Sequence, residues 1–190
     1  MRQGLRQLRS ASGFTLIELM VTIAVLAVLV SLAFPVFNQI EQRRIVGAAE
    51  STVNMIQMAR TEAIKQGRNI SFVSEGSGTN WCVAVSDDSG CSCAPDADNP
   101  CGITLDGDGD RTAYGTDSSA FRDVAMNSGG GQVFEFSHVR GTLVDADGRE
   151  GVVFQTARNA FEVNVSLNRI GRPSICGQNR PFGGYPQCSD

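Results

Sequence analysis

A single carboxylate interrupts the first apolar run of the sequence. Within residues 14–34 the one ionisable side chain is Glu18, and the only other polar residues are Thr15, Thr22 and Ser31. A charged side chain inside a bilayer costs about 2.5 to 3.5 kcal/mol on insertion scales, so we expect Glu18 to be paired or functional. The competing interpretation is that Glu18 extends to the membrane interface from a position near a helix end. The chemistry available to Glu18 is therefore an ion pair, provided that a cation is brought to it.

Six cysteines form the second group with defined chemistry. An even number of cysteines in an exported domain indicates disulfide bonds. We expect Cys176 and Cys188 to be bridged, because they flank a Gly/Pro-rich tail with few apolar residues, and a bridge of this span contributes about 3 kcal/mol. A zinc site built from the other cysteines is disfavoured, since they contain no C-x-x-C pair and no His lies nearby. These other cysteines, which pair among themselves by elimination, are Cys82, Cys91, Cys93 and Cys101.

The stretch DGDGDRTAYGTD partly matches a calcium-loop template. Arg111 stands where the template needs glycine, and Asp117 replaces a glutamate whose longer side chain reaches the ion better. A solvated turn is therefore the favoured interpretation, and we assign no metal and no cofactor. The carboxylates that stand at ligand positions of the template are Asp106, Asp108, Asp110 and Asp117.

The sequence contains one histidine, His138, which follows Ser137. A hydrolytic triad would need a nucleophile motif such as G-x-S-x-G, and none is present. We expect His138 to be a strand residue at a sheet surface, and we expect no catalysis.

The apolar run that carries Glu18 is long enough to cross a bilayer as a helix. It ends in SLAFPVF rather than in the small residues of a signal-peptide cleavage site, so we expect the helix to be retained. The first thirteen residues hold three arginines and no acid, which places the amino terminus in the cytoplasm. Because the whole chain carries a formal charge of −4, the remainder is acidic, and general nucleic-acid binding is disfavoured.

The helical pattern continues beyond the apolar run. Pro35 is expected to bend the helix rather than end it, and Gly67 provides the end. The result is one helix of about fifty residues, apolar in its first half and amphipathic in its second. The residues expected to form the apolar face of the second half are Ile45, Ala49, Val53, Ile56, Ala59 and Ala63.

The pattern changes from helix to strands at Asn69. Alternating or continuous apolar runs between Gly, Ser, Asn and Asp turns predict antiparallel strands. The acidic, cysteine-bearing stretch 86–117 is expected to be a long loop held by disulfides. The predicted fold class is α+β, with the second half of the long helix packed against an antiparallel sheet. The predicted strands are 69–74, 80–85, 132–139, 150–156 and 159–166.

The start of the apolar helix, together with the residues just before it, carries a recognisable motif. The sequence SASGFTLIELM resembles the processing site of type IV pilins and type II secretion pseudopilins, with Gly13 before Phe14, Glu18 four residues on, and an apolar helix that reaches Pro35. The resemblance implies that a membrane-embedded prepilin peptidase cuts after Gly13 and that the new amine of Phe14 is methylated. It also implies that Glu18 neutralises the Phe14 amine of an incoming subunit during filament assembly.

Two further stretches narrow the family. QMARTEAIKQGRNISFV and FEVNVSLNRIGRPSIC resemble the GspH/FimT family of minor pilins and pseudopilins. Some members of that family capture DNA through a basic carboxy-terminal motif. Here the tail contains Arg169, Arg172 and Arg180, together with Phe182 and Tyr185, which could clamp phosphates and stack on bases. However, serine stands at position 174, where the DNA-binding members carry a second arginine.

These observations predict a structural subunit of a pilus or pseudopilus tip, with DNA capture as the alternative function. The expected organisation is a leader at 1–13, a transmembrane helix at 14–35, its amphipathic continuation at 36–67 and a disulfide-stabilised β-rich domain at 68–190. The expected partners are the prepilin peptidase, other pilins or pseudopilins, the bacterial inner membrane and, in the alternative, DNA. The carboxy-terminal domain is expected in the periplasm before assembly.

Overall fold

The first element of the computed structural model is one helix, α1, from Leu16 to Gln66. The structure describes residues 14–104, 110–145, 151–156 and 161–189, without the side chains of residues 32–38. Helix α1 continues through Pro35 and ends before Gly67, whose φ of 64° favours glycine at this position. The predicted long helix and its end are therefore confirmed, and the bend at Pro35 stays a prediction.

The chain divides into two compact units, and α1 contributes residues to both. The first unit is Met1–Gln39 and the second is Ile40–Asp190. In the first unit the described apolar side chains up to Val30 are exposed. Among the residues that the structure describes, no helix presents an apolar stretch long enough to cross a membrane.

Two four-stranded antiparallel sheets form most of the described part of the second unit. The strands are β1 Ile70–Ser77, β2 Asn80–Ser86, β3 Ile103–Thr104, β4 Arg111–Thr112, β5 Tyr114–Asp117, β6 Val124–Ser128, β7 Gln132–Phe136, β8 Val152–Thr156, β9 Glu162–Leu167 and β10 Pro173–Gly177. Sheet A has the order β5-β2-β1-β7, sheet B has the order β10-β9-β8-β6, and β3 pairs with β4. The sheets meet where Gly78 and Met126 exchange two backbone hydrogen bonds of 2.8 Å.

One hydrophobic core joins the second half of α1 to both sheets. Sheet A contributes Phe72 and Phe134, whose rings stack with centroids 5.7 Å apart, and sheet B contributes Phe154. Full burial of each such side chain stabilises the fold by about 1.5 to 3 kcal/mol. The predicted face of α1 is confirmed, although Val53 is only partly buried and Ala48 joins the face. The fully buried apolar residues of α1 are Ile45, Ala48, Ala49, Ile56, Ala59 and Ala63.

The opposite face of sheet A is covered by a cysteine-rich segment. Val73 and Ala84 point to this face, because their neighbours Phe72 and Val83 belong to the main core, and they pack against two of the cysteines. The segment is held by two disulfides, Cys82–Cys93 and Cys91–Cys101. These four cysteines therefore pair among themselves, as the sequence predicts, and their sulfur atoms form disulfides rather than free thiolates.

The predicted strands are confirmed as β1, β2, β7, β8 and β9, but the prediction of a long loop over 86–117 is wrong. That stretch contains β3, β4 and β5. Strand β5 has only four residues, with Tyr114 as its one large apolar side chain, so it has no local pattern. Its place depends on backbone pairing with β2, where a Cβ on Gly115 would lie 2.7 Å from the carbonyl oxygen of Val83. Strands β6 and β10 were also not predicted.

A partly buried carboxylate connects the end of α1 to this segment. Asp87 contacts Arg68 at 2.9 Å and Arg111 at 2.8 Å, and it accepts the Thr104 N–H at 3.3 Å. Burial by itself raises the pKa of Asp87. The Thr104 hydrogen bond and the two guanidinium charges outweigh burial, so the pKa of Asp87 lies below its ordinary value of 3.8.

Replacing Asp87 by Asn is expected to lower the free energy of unfolding at pH 7 by about 1 to 2 kcal/mol, a modest loss because both arginines are partly exposed to solvent. The folded pKa is depressed, so the contribution is complete above the unfolded value and is lost as the pH falls through the folded value. The wild-type and Asp87→Asn curves should therefore converge in acid. Urea unfolding followed by the fluorescence of Trp81, the single and buried tryptophan, measures this difference. The exposed Asp98→Asn variant is the control, and a difference independent of pH would contradict the ion-pair explanation.

Candidate assembly site

Thr15 caps the amino terminus of α1. Its hydroxyl oxygen accepts the backbone N–H of Glu18 at 3.3 Å, and its carbonyl oxygen accepts the N–H of Leu19 at 3.2 Å. Thr15 and Glu18 thus stand at the first and last positions of a T-x-x-E capping box, a signal that our sequence interpretation missed. The carboxylate also lies in the first turn, where the helix dipole favours negative charge.

The predicted pairing residue Glu18 is exposed, and apolar side chains surround it along the chain. Phe14 is 81% exposed, Leu16 73% and Ile17 69%. Gly13, the predicted cleavage position, lies outside the described residues. The first turn of α1 therefore presents one carboxylate on a surface that is otherwise apolar, and within the described part of the first unit nothing covers this surface. Such a surface favours association with other apolar surfaces, and it leaves the carboxylate available for a cation.

The carboxy-terminal tail is closed by the predicted Cys176–Cys188 disulfide. Strand β10 is an edge of sheet B, and the tail covers one end of that edge. The Gly177 N–H donates to the Pro186 carbonyl oxygen at 2.9 Å, and the Gly177 carbonyl oxygen accepts the Cys188 N–H at 3.0 Å. The other end of β10 begins with Pro173, which has no N–H. Both features protect the edge from pairing with another strand.

The aromatic residues of the tail face the protein rather than solvent. Phe182 is buried, with its ring 4.6 Å from that of Phe161, and the Arg180 guanidinium lies 5.2 Å above the Phe161 ring. The Tyr185 hydroxyl donates to a carboxylate oxygen of Glu50 in α1 at 2.7 Å. This hydrogen bond, with burial and the charge of Glu50, raises the pKa of Tyr185. The tail therefore docks on α1 and on sheet B through its aromatic side chains.

The predicted phosphate-binding arginines do not form one cluster. Arg169 and Arg172 lie in the turn between β9 and β10, where the Asn168 side chain accepts the Arg172 N–H at 2.8 Å. Arg180 lies beyond the other end of β10, which is about 16 Å long at 3.3 Å per residue. Phe182 is buried and cannot stack on a base, so that part of the prediction is wrong. The arginines of the tail therefore lie in two separate places, one at each end of β10.

The remaining predicted site residues are the carboxylates of the calcium-loop template and His138. Asp117 lies in β5, where hydrogen bonds from the hydroxyl and N–H of Ser119 hold its pKa below the usual value. Asp106 and Asp108 lie outside the described residues, so the calcium-loop template stays a sequence match. The prediction that His138 is a strand residue is wrong, because β7 ends at Phe136 and His138 lies in the turn that follows. Its side chain is exposed, with Nδ1 2.9 Å from the Asn69 side-chain oxygen.

Comparisons with known proteins place these features in context. A family model described as type II transport protein GspH matches residues 48–171, and a model of the prokaryotic N-terminal methylation motif matches residues 8–34. Two fimbrial proteins of Pseudomonas aeruginosa are each 35% identical to this chain over 63 residues. The matched stretch is 33% of this chain and spans 41% of the length of these relatives. No solved structure matches this chain.

Replacing both Cys176 and Cys188 by Ser is expected to lower the free energy of unfolding by about 3 kcal/mol, because the unfolded chain gains the entropy of the opened loop. The variant should also aggregate with time, since release of the tail exposes the edge of β10. Trp81 fluorescence during urea unfolding and light scattering measure the two effects under non-reducing conditions. Gln178→Ser with Gln187→Ser, in the same loop, is the matched control. An unchanged unfolding midpoint would show that the tail is held without its bridge.

Proposed function

The chain belongs to the GspH family of type II transport proteins, and we propose that it is a minor pilin or pseudopilin that assembles into the tip of a type IV pilus or type II secretion pseudopilus. The family consists of structural, non-enzymatic subunits of the pilin type. The observation that carries the proposal is the order of the two family matches. The methylation motif matches residues 8–34, which include the first part of α1, and the GspH match runs from residue 48 within α1 to residue 171, just before β10.

The amino-terminal segment is the part that the biogenesis machinery handles. A prepilin peptidase cleaves after Gly13 and methylates the amine of Phe14. The support for this step is the methylation-motif match over residues 8–34 and the absence of acids before Gly13. The apolar run 14–35 then holds the subunit in the bacterial inner membrane, with the β-rich domain in the periplasm, until assembly draws it into the filament.

Glu18 selects the position of each incoming subunit. After cleavage the Phe14 amine is a cation in apolar surroundings, and an ion pair with Glu18 of a neighbour removes two uncompensated charges at once. The exposure of Glu18 among exposed apolar side chains supports this role. Thr15 assists by satisfying the Glu18 N–H, which holds the first turn in helical geometry. The carboxylate is therefore presented from an ordered turn.

DNA capture is the weaker candidate. Arg169, Arg172 and Arg180 are exposed, which a phosphate contact requires. However, a strand separates Arg180 from the other two arginines, and Phe182 is buried. A continuous track of phosphates and stacked bases would need these groups side by side.

The pilus and the secretion machine use the same helix, and comparing surface piliation with exoprotein secretion in a deletion strain separates them.

Replacing Gly13 by Ala or a larger residue is expected to block maturation, because the peptidase must approach the backbone closely at this residue. Mass spectrometry of the membrane fraction should show a chain that retains residues 1–13 and lacks the methylated Phe14 terminus. Ser12→Ala, one residue earlier, is the control and should mature normally. Normal maturation of the Gly13→Ala variant would exclude this cleavage position.

Replacing Glu18 by Ala or Gln is expected to give a processed and stable subunit that assembles poorly. A lost ion pair of about 1.4 kcal/mol already lowers an equilibrium constant tenfold, so recovery in sheared filaments should fall on the order of tenfold or more. Thr22→Ala, in the same apolar run, is the control. Equal recovery of the Glu18→Gln variant and the wild type in filaments would remove the charge from the assembly mechanism.

A further inference from the structure

The exposed large hydrophobic side chains of the second unit gather on three segments. Beyond Ile40, among the residues that the structure describes, these side chains belong to the last turns of α1, to the turn after β7 and to the turn between β9 and β10. Residues elsewhere in this unit that are equally large and apolar are buried or partly buried. The exposed residues are Ile64 at 54%, Val139 at 72%, Val144 at 53% and Ile170 at 56%.

The three segments lie against one another. A Cβ on Gly141 would lie 2.6 Å from the Ile64 side chain and 3.2 Å from Arg60 Nε, so the turn after β7 contacts the last turns of α1. A Cβ on Gly171 would lie 2.7 Å from the ring of Phe136, which ends β7, so the β9–β10 turn packs against the base of the same turn. The exposed aliphatic residues therefore belong to one end of the domain.

This end of the domain is also cationic, although the chain as a whole is acidic. Arg60, Arg140 and Arg169 lie on the three segments, and within the described residues none of them forms an ion pair. Among the carboxylates near these segments, Glu62 accepts a hydrogen bond from Gln66 at 2.8 Å and lies 3.5 Å from Lys65, and the exposed Asp145 directly follows Val144. We call this region the arginine–aliphatic surface, formed by Arg60, Ile64, Val139, Arg140, Arg169 and Ile170.

The same domain carries a loop of opposite charge. Residues 94–100, the acidic loop, hold the exposed side chains of Asp96 and Asp98 among exposed Ala and Pro residues. The base of the loop is closed by the Ser92 N–H, which donates to the Asn99 carbonyl oxygen at 2.9 Å, and by the Cys101 N–H, which donates to the Ser92 carbonyl oxygen at 3.0 Å. Both disulfides of the cysteine-rich segment adjoin this base. The loop is therefore held in one shape before any partner binds.

We propose that the arginine–aliphatic surface binds the acidic loop of a second copy of this chain. The arginines are opposite in charge to Asp96 and Asp98, while the aliphatic side chains match the exposed Ala94, Pro95 and Pro100 of the same loop. The disulfides reduce the entropy lost on binding, because the loop is already ordered. The exposed apolar residues are aliphatic rather than aromatic, which suits a protein loop better than stacked bases.

Such a contact joins two different surfaces of the two copies, so each copy can bind one neighbour on either side. This inference deepens the proposed assembly role by adding a contact between domains. It does not depend on Glu18, since every residue of the contact lies in the second unit.

Two charge reversals test the contact in the full chain in detergent micelles at low salt. Arg140→Glu disables the surface, and Asp96→Lys with Asp98→Lys disables the loop. By sedimentation velocity each variant alone should lose self-association on the order of tenfold or more, because like charges now face each other. An equimolar mixture should recover self-association, since the unchanged loop of one variant faces the unchanged surface of the other and the two reversed surfaces are again opposite in charge. Association through the apolar segments is the same in every sample and cancels in the comparison.

Arg122→Glu makes the same charge change at an exposed arginine elsewhere on the domain and should behave as the wild type. The uncleaved full chain has no free Phe14 amine, so the Glu18 ion pair cannot form in these samples, and a failed pairing role for Glu18 leaves this result intact. Unchanged association of the charge reversals, or no recovered association in the mixture, would overturn the proposal. Titration with a short DNA duplex tests the other outcome. If the wild type does not self-associate but binds the duplex, and the Arg140→Glu variant does not bind it, the arginine–aliphatic surface is assigned to nucleic acid.

Discussion

The packing of the alanine-rich face of α1 on the two sheets is the contact on which the rest of the domain depends. Ala48, Ala49, Ala59 and Ala63 have no exposed surface and belong to one core cluster with Phe72 and Phe134 of sheet A, and their small side chains allow the helix to pack closely on that core. The core that results contains residues of the helix and of both sheets in one cluster. Larger residues on this face would push the helix away from the sheets and open cavities beside the rings.

Sheet A is the central layer of the second unit. One face packs on α1, and the other face is covered by the cysteine-rich segment, which supplies only a small apolar cluster around Val73 and Ala84. A segment with so little apolar surface cannot be held by burial alone. The two disulfides replace the missing core, and the Asp87 ion pairs with Arg68 and Arg111 anchor the segment beside the end of α1. The same restraint gives the acidic loop its fixed shape.

The edge of sheet B at β10 and the carboxy-terminal tail are also held by specific contacts. Strand β10 would be an open edge, but Pro173 begins it and the disulfide-closed tail covers its end. The tail is held in turn by Phe182 in the core and by the hydrogen bond from Tyr185 to Glu50. Unpaired edges associate without selectivity, and these features limit such pairing at β10. The exposed large apolar side chains of the described residues lie mainly on the first unit and at one end of the second.

Features that depend on neighbouring residues can be predicted from the sequence. Hydrophobic periodicity predicted α1, its end at Gly67, its buried face and the strands with alternating patterns, because these signals repeat within a few residues. The leader motif and the Cys176–Cys188 bridge were likewise visible along a short stretch of chain. The folded structure was needed to show how Cys82, Cys91, Cys93 and Cys101 pair, that β5 and β10 are strands, and that Phe182 is buried in the core. It also brought Ile64, Val139 and Ile170 to one end of the domain. Each of these outcomes depends on contacts between residues far apart in sequence, and no local pattern of side chains specifies such contacts.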